Sequence, residues 1–319
     1  MKRLTLSLAL AACALLLTGC MTSAQNPLMK AEATDVPGLS MELHAAQASE
    51  ANVSAVSATL YFRYLDEPLL AGEDRTLMVR RDESAELAIV RALLEGPSAG
   101  HSDLRRLFSE NVEVMSVVTR EDILYVTFNE ALLTEDDVPQ DWQTDPAWRQ
   151  EAPLKRRLAL QSVAASLSEH APCAGVQFLV YRENEVQPSL RLENSYFLDG
   201  GTGLSEPVAR DETLLLTPQH TAERILALWQ ARDYAALYLY AAAEGKPGYE
   251  QAAAQLDACP ALTAYTASGG SVSGDGRRAV VSVALAMENG ELPSWPMPLT
   301  RENGVWKITF AQLLRMMDR

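Results

Sequence analysis

The chain has 319 residues, with 27 basic and 42 acidic side chains, a formal net charge of −15 and 48% apolar residues. That length supplies core for two ordinary domains, and the acidic balance excludes charge-driven binding to nucleic acid, anionic lipid or acidic wall polymers. There are four cysteines and four histidines, none at a metal-ligand spacing, so no disulfide framework, metal or cofactor is expected.

The first element is a leader. Lys2 and Arg3 precede an uncharged apolar run from Leu4 to Leu17, too short to span a bilayer with stop-transfer flanks. It ends at Leu17-Thr18-Gly19-Cys20, small residues directly before a cysteine. The pattern resembles the lipobox of bacterial lipoproteins, which implies that residues 1–19 are a signal peptide and that Cys20 is acylated and becomes the N-terminus. Two or three acyl chains, at about 0.8 kcal/mol per buried methylene, hold a protein on a bilayer. The implied location is the extracytoplasmic face of the cell membrane, with the membrane itself as a partner through the lipid on Cys20. Residues 20–53, rich in Ala, Ser, Glu and Gln and interrupted by Pro27, Pro37 and Gly38, read as a flexible tether. As a coil it would place the next domain on the order of 30 Å from the membrane.

A first domain is expected over residues 54–200. Ala58 to Tyr64 alternates with the period of two of a half-buried strand, and Thr76 to Arg81 reads as a second strand after a turn at Ala71-Gly72-Glu73-Asp74. Asp82-Glu83-Ser84 caps a helix with Leu87, Val90 and Leu94 on one face, closed by Gly96-Pro97. Val112 to Thr119 and Ile123 to Phe128 form a hairpin about Arg120-Glu121-Asp122. A helix from about Pro153 to Glu169, with Leu158, Gln161, Val163, Ala164 and Leu167 buried, precedes a strand from Gly175 to Tyr181. This order predicts an α+β sandwich with helices on one face of a sheet.

Leu60-Tyr61-Phe62, the helix leading into Leu94-Glu95-Gly96-Pro97, the strand Leu124-Tyr125-Val126-Thr127-Phe128-Asn129, and Gln161 to Leu167 before Val176-Gln177-Phe178 together resemble the GerMN domain. That domain occurs in spore-germination and sporulation lipoproteins and in actinobacterial envelope lipoproteins. The resemblance implies a non-catalytic assembly or docking module, with envelope protein partners or self-association. Two departures stand out: Tyr181-Arg182-Glu183-Asn184 replaces an Asp-Gly turn, and Thr134 to Gln150 reads as an enlarged loop.

Residues 201–216, glycine-rich at Gly200-Gly201-Thr202-Gly203, read as a linker rather than a phosphate loop, because neither the dinucleotide spacing nor Gly-Lys-Ser/Thr is present. A second domain is expected over 217–319. Thr217-Pro218 starts a helix, Arg232-Asp233-Tyr234 restarts a second and Tyr249 to Leu256 forms a third. Strands follow at Leu262 to Ser268, Arg278 to Met287, Trp295 to Thr300 and Val305 to Phe310. Their turns are expected at Gly269-Gly270, Gly274-Asp275-Gly276, Asn289-Gly290 and Asn303-Gly304. Helices before a curved antiparallel sheet, with Ala-Arg-Asp-Tyr-Ala-Ala at 231–236 and Glu-Asn-Gly-Val-Trp-Lys-Ile at 302–308, resemble the NTF2-like (cystatin-like) superfamily.

Candidate chemistry is sparse. Gly270-Ser271-Val272-Ser273-Gly274 lacks the spacing of a nucleophile elbow, and no catalytic residue is expected. Cys173 and Cys259 read as packing thiols, with a bridge between domains the one pairing left to them. The enlarged loop carries the single unusual surface: Trp142 and Trp148 with Asp137 and Asp141, suited to a partner or glycan contact, or, in the alternative, to a peptidoglycan-directed hydrolase working through paired acids. Trp229, Tyr238, Tyr265, Trp295 and Trp306 read as an aromatic core, with a small-ligand pocket as the other reading.

Overall fold

A computed structural model describes residues 53–134, 138, 140–141, 144–183 and 188–318. The anchor cysteine, the tether through residue 52, Asp137 and Trp142 lie outside the described residues, and Val53, read as the end of the tether, opens the first strand. Strand β1 (Val53–Tyr64) pairs antiparallel with β2 (Leu70–Arg80), and at Arg63 and Tyr64 with the short β3 (Leu104–Arg105). Helix α1 (Ala85–Glu95) lies between β2 and β3 in the chain. A second sheet has the order β4-β5-β6-β7, with β4 (Val114–Arg120), β5 (Ile123–Phe128), β6 (Gly175–Tyr181) and β7 (Ser189–Arg191). Here β5 and β6 run parallel, connected by α2 (Pro146–His170), whereas the other pairs are antiparallel.

Helix α2 is buried without interruption from Leu158 to Leu167, because it packs against β1 of the first sheet and β6 of the second. The expected single sheet with helices on one face is therefore two sheets sharing a central helix. Small residues make the close approach feasible: the Ser162 hydroxyl donates to the Tyr61 carbonyl at 2.6 Å, and the Tyr61 amide donates to Ser166 Oγ at 3.0 Å. These bonds satisfy backbone groups of β1 that no neighbouring strand takes at Tyr61, the usual hazard of an edge. The helix also begins earlier than the pattern suggested, at Pro146 with the Asp145 carboxylate accepting from the Ala147 amide, and it carries Pro153 inside. Leu158 to Leu167 on two sheets holds that helix together despite the missing donor at Pro153.

Two glycine-containing stretches read as turns are strand instead. Ala71 to Asp74 lies within β2, with Tyr61 opposite Gly72 and Leu60 opposite Glu73; the chain reverses earlier, between Tyr64 and Leu70. Gly269 and Gly270 lie inside β8 (Leu262–Val272), where the register against β9 (Arg278–Met287) shifts. A Cβ on Gly270 would fall 2.7 Å from the Val280 carbonyl oxygen, so close backbone approach, not chain reversal, selects glycine there.

The remaining elements are α3 (Pro218–Gln230), α4 (Tyr234–Leu239), α5 (Tyr249–Asp257), the sheet β8-β9-β10-β11 with β10 (Gly290–Glu302) and β11 (Val305–Lys307), and α6 (Phe310–Met317). Thr217 and Asp233 cap α3 and α4 through their side chains. Helix α6 replaces the last part of the expected strand through Phe310, and buries Phe310, Leu313, Met316 and Met317. Its apolar stripe at i, i+3, i+6 and i+7 is the helical period that a run starting at Val305 obscures. Trp229 is 1% exposed with its indole donating to the Pro260 carbonyl, and Trp306 is buried too, which makes both core residues. The described residues contain no helix long and apolar enough to cross a membrane.

The segment read as a linker is fastened along its length. Asn194 donates to the Gly203 carbonyl, Ser205 to Leu192, Val176 and Val208 exchange both backbone bonds at 2.8–2.9 Å, and Leu216 donates to Leu70. The Gln161 amide both donates to the Ala209 carbonyl and accepts from the Asp211 amide. Arg210 lies 5.3 Å from the centre of the Tyr61 ring and contacts Glu169 and Glu212 at 2.5 Å each. Burial works against the Arg210 charge, but the bonds to Glu212, Tyr61 and Glu169 outweigh it and hold the guanidinium above its ordinary range. Limited proteolysis of the native protein should accordingly spare 201–216. Rapid cleavage there, leaving two resistant fragments, would contradict this packing.

Candidate functional site

The Leu94-Glu95-Gly96-Pro97 element is organised by a buried carboxylate. Glu73 in β2 is 1% exposed; one oxygen accepts from Arg75 at 2.7 Å and the other from the Ser98 amide at 3.1 Å. Arg75 in turn donates to the Gly96 carbonyl at 3.0 Å and sits 5.7 Å from the Phe62 ring centre. Gly96 has φ +93°, so the turn needs glycine, and the ion pair clamps both sides of it. Ser98 Oγ lies 2.8 Å from His101 Nδ1, and Glu73 lies 3.7 Å from the same nitrogen. This Ser, His and Glu set differs from a hydrolase triad, in which hydroxyl and acid bond opposite ring nitrogens so that a proton can pass between them. With both on Nδ1 the arrangement braces the loop.

A second constellation sits where β5 and β6 end. A parallel pair joined by a helix places a crevice beyond its carboxyl ends, the general location of ligand sites in such units. Here a cavity of about 240 Å³ is walled by Leu133, Val180, Leu190 and Leu192, with three arginines converging on it. Arg156, on α2, is 8% exposed, donates to the Tyr196 carbonyl at 2.6 Å and lies 4.8 Å from the centre of the Tyr196 ring. Arg182, just past β6, is 3.5 Å from Glu130. Arg191, on β7, donates to the Ser205 carbonyl at 2.6 Å and is 3.7 Å from Glu206. Sequence reading singled out none of the three as a site. The legible signal was the connection from β5 to β6, far too long for a hairpin and therefore a helical crossover between parallel strands.

The loop residues proposed from sequence are placed in part. Trp148 is half-buried in the first turn of α2. Asp141 is exposed, with its carbonyl accepting from the Thr144 and Asp145 amides. Trp142 and Asp137 fall outside the described residues. Cys173 and Cys259 are both free thiols; burial, with Asp318 nearby, pushes Cys259 above the ordinary thiol range, as suits a packing residue. Among the described residues no three His, Cys, Asp or Glu side chains converge in a way that could hold a metal ion.

Comparison with known proteins adds a family. Residues 59–183 match the family model described as Germane, sporulation and spore germination. Among solved structures, the tandem GerMN domains of the sporulation protein GerM from Bacillus subtilis are 19% identical, with 56% of this chain and 50% of that chain covered and a TM-score of 0.32. A Clostridium perfringens protein classed provisionally as a lipoprotein is 19% identical, with 50% of this chain and 90% of that chain covered and a TM-score of 0.28. The chain thus spans half the length of the GerM structure it matches. No curated protein matches it. The match runs from the first sheet through β6 and takes in both the clamped Gly96-Pro97 turn and the central helix: residues 59–183 form a Germane domain.

Proposed function

We propose that this chain is an extracytoplasmic lipoprotein, anchored through Cys20, whose Germane domain serves as a non-catalytic docking or assembly module in sporulation or spore germination. The observation that carries this reading is the Germane match over residues 59–183. The Leu17 to Cys20 pattern supplies the anchor, and a tethered domain gains effective concentration for partners on the same membrane. Residues 217–319 form the accessory part, read as NTF2-like because three helices precede a four-stranded antiparallel sheet. Lipid labelling tests the anchor: the Cys20→Ala variant should lose both incorporated acyl chain and membrane association, and label retained in that variant would refute it. Crosslinking in cells tests the module, with specific envelope partners or self-contacts expected. Release of wall fragments by the purified protein, abolished by Asp137→Asn or Asp141→Asn, would replace this reading with that of a hydrolase.

A further inference from the structure

We propose that the open edge of β4 pairs antiparallel with the β4 edge of a second copy of this chain, joining two Germane domains through one continuous sheet. An edge strand presents unpaired backbone amides and carbonyls that template another strand unless something blunts it. The other edges here are blunted. β3 has two residues, β7 and β11 have three each, and β8 is interrupted where its register against β9 shifts. In β2 the Leu70 and Gly72 carbonyls accept from Leu216 and Arg301, and the remaining half carries a cation at either end, Arg75 and Arg80. In β4 one bulge, at Met115, leaves Ser116 to Arg120 in regular register on β5. Val114 and Val117 pack on the core, whereas Met115 and Val118 are 47% and 46% exposed. No proline, lysine or acidic residue breaks the strand.

A second copy fits because this edge is self-complementary. Val114 stands opposite Phe128 and Ser116 opposite Thr127, so the bulge returns Glu113, which bonds Asn129, to the face of Ser116, Val118 and Arg120. A two-fold antiparallel pair sets residues of one face directly opposite each other. Centred on Val117, it puts Ser116 against Val118 of the second copy and, at both ends, Arg120 beside Glu113 of the second copy. Both charged side chains are exposed, and neither has an ion-pair partner among the described residues; Arg120 lies 5.9 Å from the centre of the Tyr125 ring. Glu121 and Asp122 follow in the turn, beyond the paired residues. Such a short strand pair buries far less than the ~1,600 Å² of a stable interface, so it is weak in solution and relies on the raised concentration of copies tethered to one membrane. The inference deepens the assembly role and rests on that reading.

Disulfide trapping of the full-length protein on phosphatidylcholine vesicles tests it. Under mild oxidation, Ser116→Cys/Val118→Cys should give covalent dimer about tenfold faster than Thr266→Cys/Ser268→Cys, a control pair on the exposed part of β8. Added to the β4 pair, Arg120→Glu should slow trapping about tenfold, because two attractive contacts become repulsive, and Glu113→Arg/Arg120→Glu should restore it. In the unsubstituted protein, the β4 amides should exchange more slowly as its density on the vesicle rises, a readout that needs no added cysteine and no variant that must fold. Trapping no faster than at β8, a rate indifferent to Arg120→Glu, no recovery in the charge swap, or β4 exchange independent of density would each overturn the proposal. A chain that crosslinks in cells to other envelope proteins but never to itself would overturn it too, while leaving the assembly role standing.

Discussion

Replacing Glu73 with alanine is expected to destabilise the protein by about 3–5 kcal/mol, the range for breaking a buried ion pair by removing one partner. The cost has identifiable parts. Arg75, with 18% of its side chain exposed, loses its counter-ion, and the Ser98 amide loses its acceptor. The Gly96-Pro97 turn is then held by Arg75 from one side only. Replacing both partners, as Glu73→Leu/Arg75→Met, should cost less than Glu73→Ala alone, since no uncompensated charge remains. Urea denaturation at constant m-value reads both numbers. A single-variant loss below about 1 kcal/mol would show that the carboxylate is dispensable to the loop.

Local pattern carried the sequence reading wherever one element answered to one face. The Ser84 cap, the Gly96 stop, the β4–β5 hairpin, the β6 strand and the helix starts at Thr217-Pro218 and Arg232-Asp233-Tyr234 all depend on residues adjacent in the chain, and each is in place. Reading failed where a residue type serves a distant neighbour. Gly72 and Gly270 look like turn residues, yet their smallness is used by other strands: a Cβ on Gly72 would lie 2.7 Å from the Thr59 side chain. Ser162, Ser166 and Gln161 look like polar interruptions of an apolar helix, and they bond the backbone of β1 and of residues 209–211. The same limit hid the crevice, because Arg156, Arg182 and Arg191 lie on three elements that converge only through the parallel crossover. The Germane resemblance was legible in advance because its most specific piece, Leu94 to Pro97, is contiguous.

Truncating Tyr240 to alanine is expected to cost about 3–5 kcal/mol, the range for large aromatic side chains in a core, and to lower the stability of the first sheet as much as that of the last. Tyr240 is 1% exposed and follows α4, yet its ring meets Tyr64 of β1 edge-on, with centroids 5.5 Å apart. Three ion pairs also join residues on opposite sides of 201–216: Arg224 to Glu67 at 2.7 Å, Lys307 to Asp103 at 3.0 Å and Arg301 to Asp74 at 3.2 Å. The Asn303-Gly304 turn also presses onto β2, since a Cβ on Gly304 would fall 1.9 Å from the Gly72 carbonyl oxygen. A junction with this burial and with a fastened connecting segment couples the two halves, so unfolding one exposes apolar surface on the other. Hydrogen exchange followed in α2 and in β9 should therefore report one shared opening free energy, reduced equally in both by Tyr240→Ala. Protection of α2 unchanged in the variant while β9 opens would separate the halves and show that the tyrosine pair merely touches across the junction.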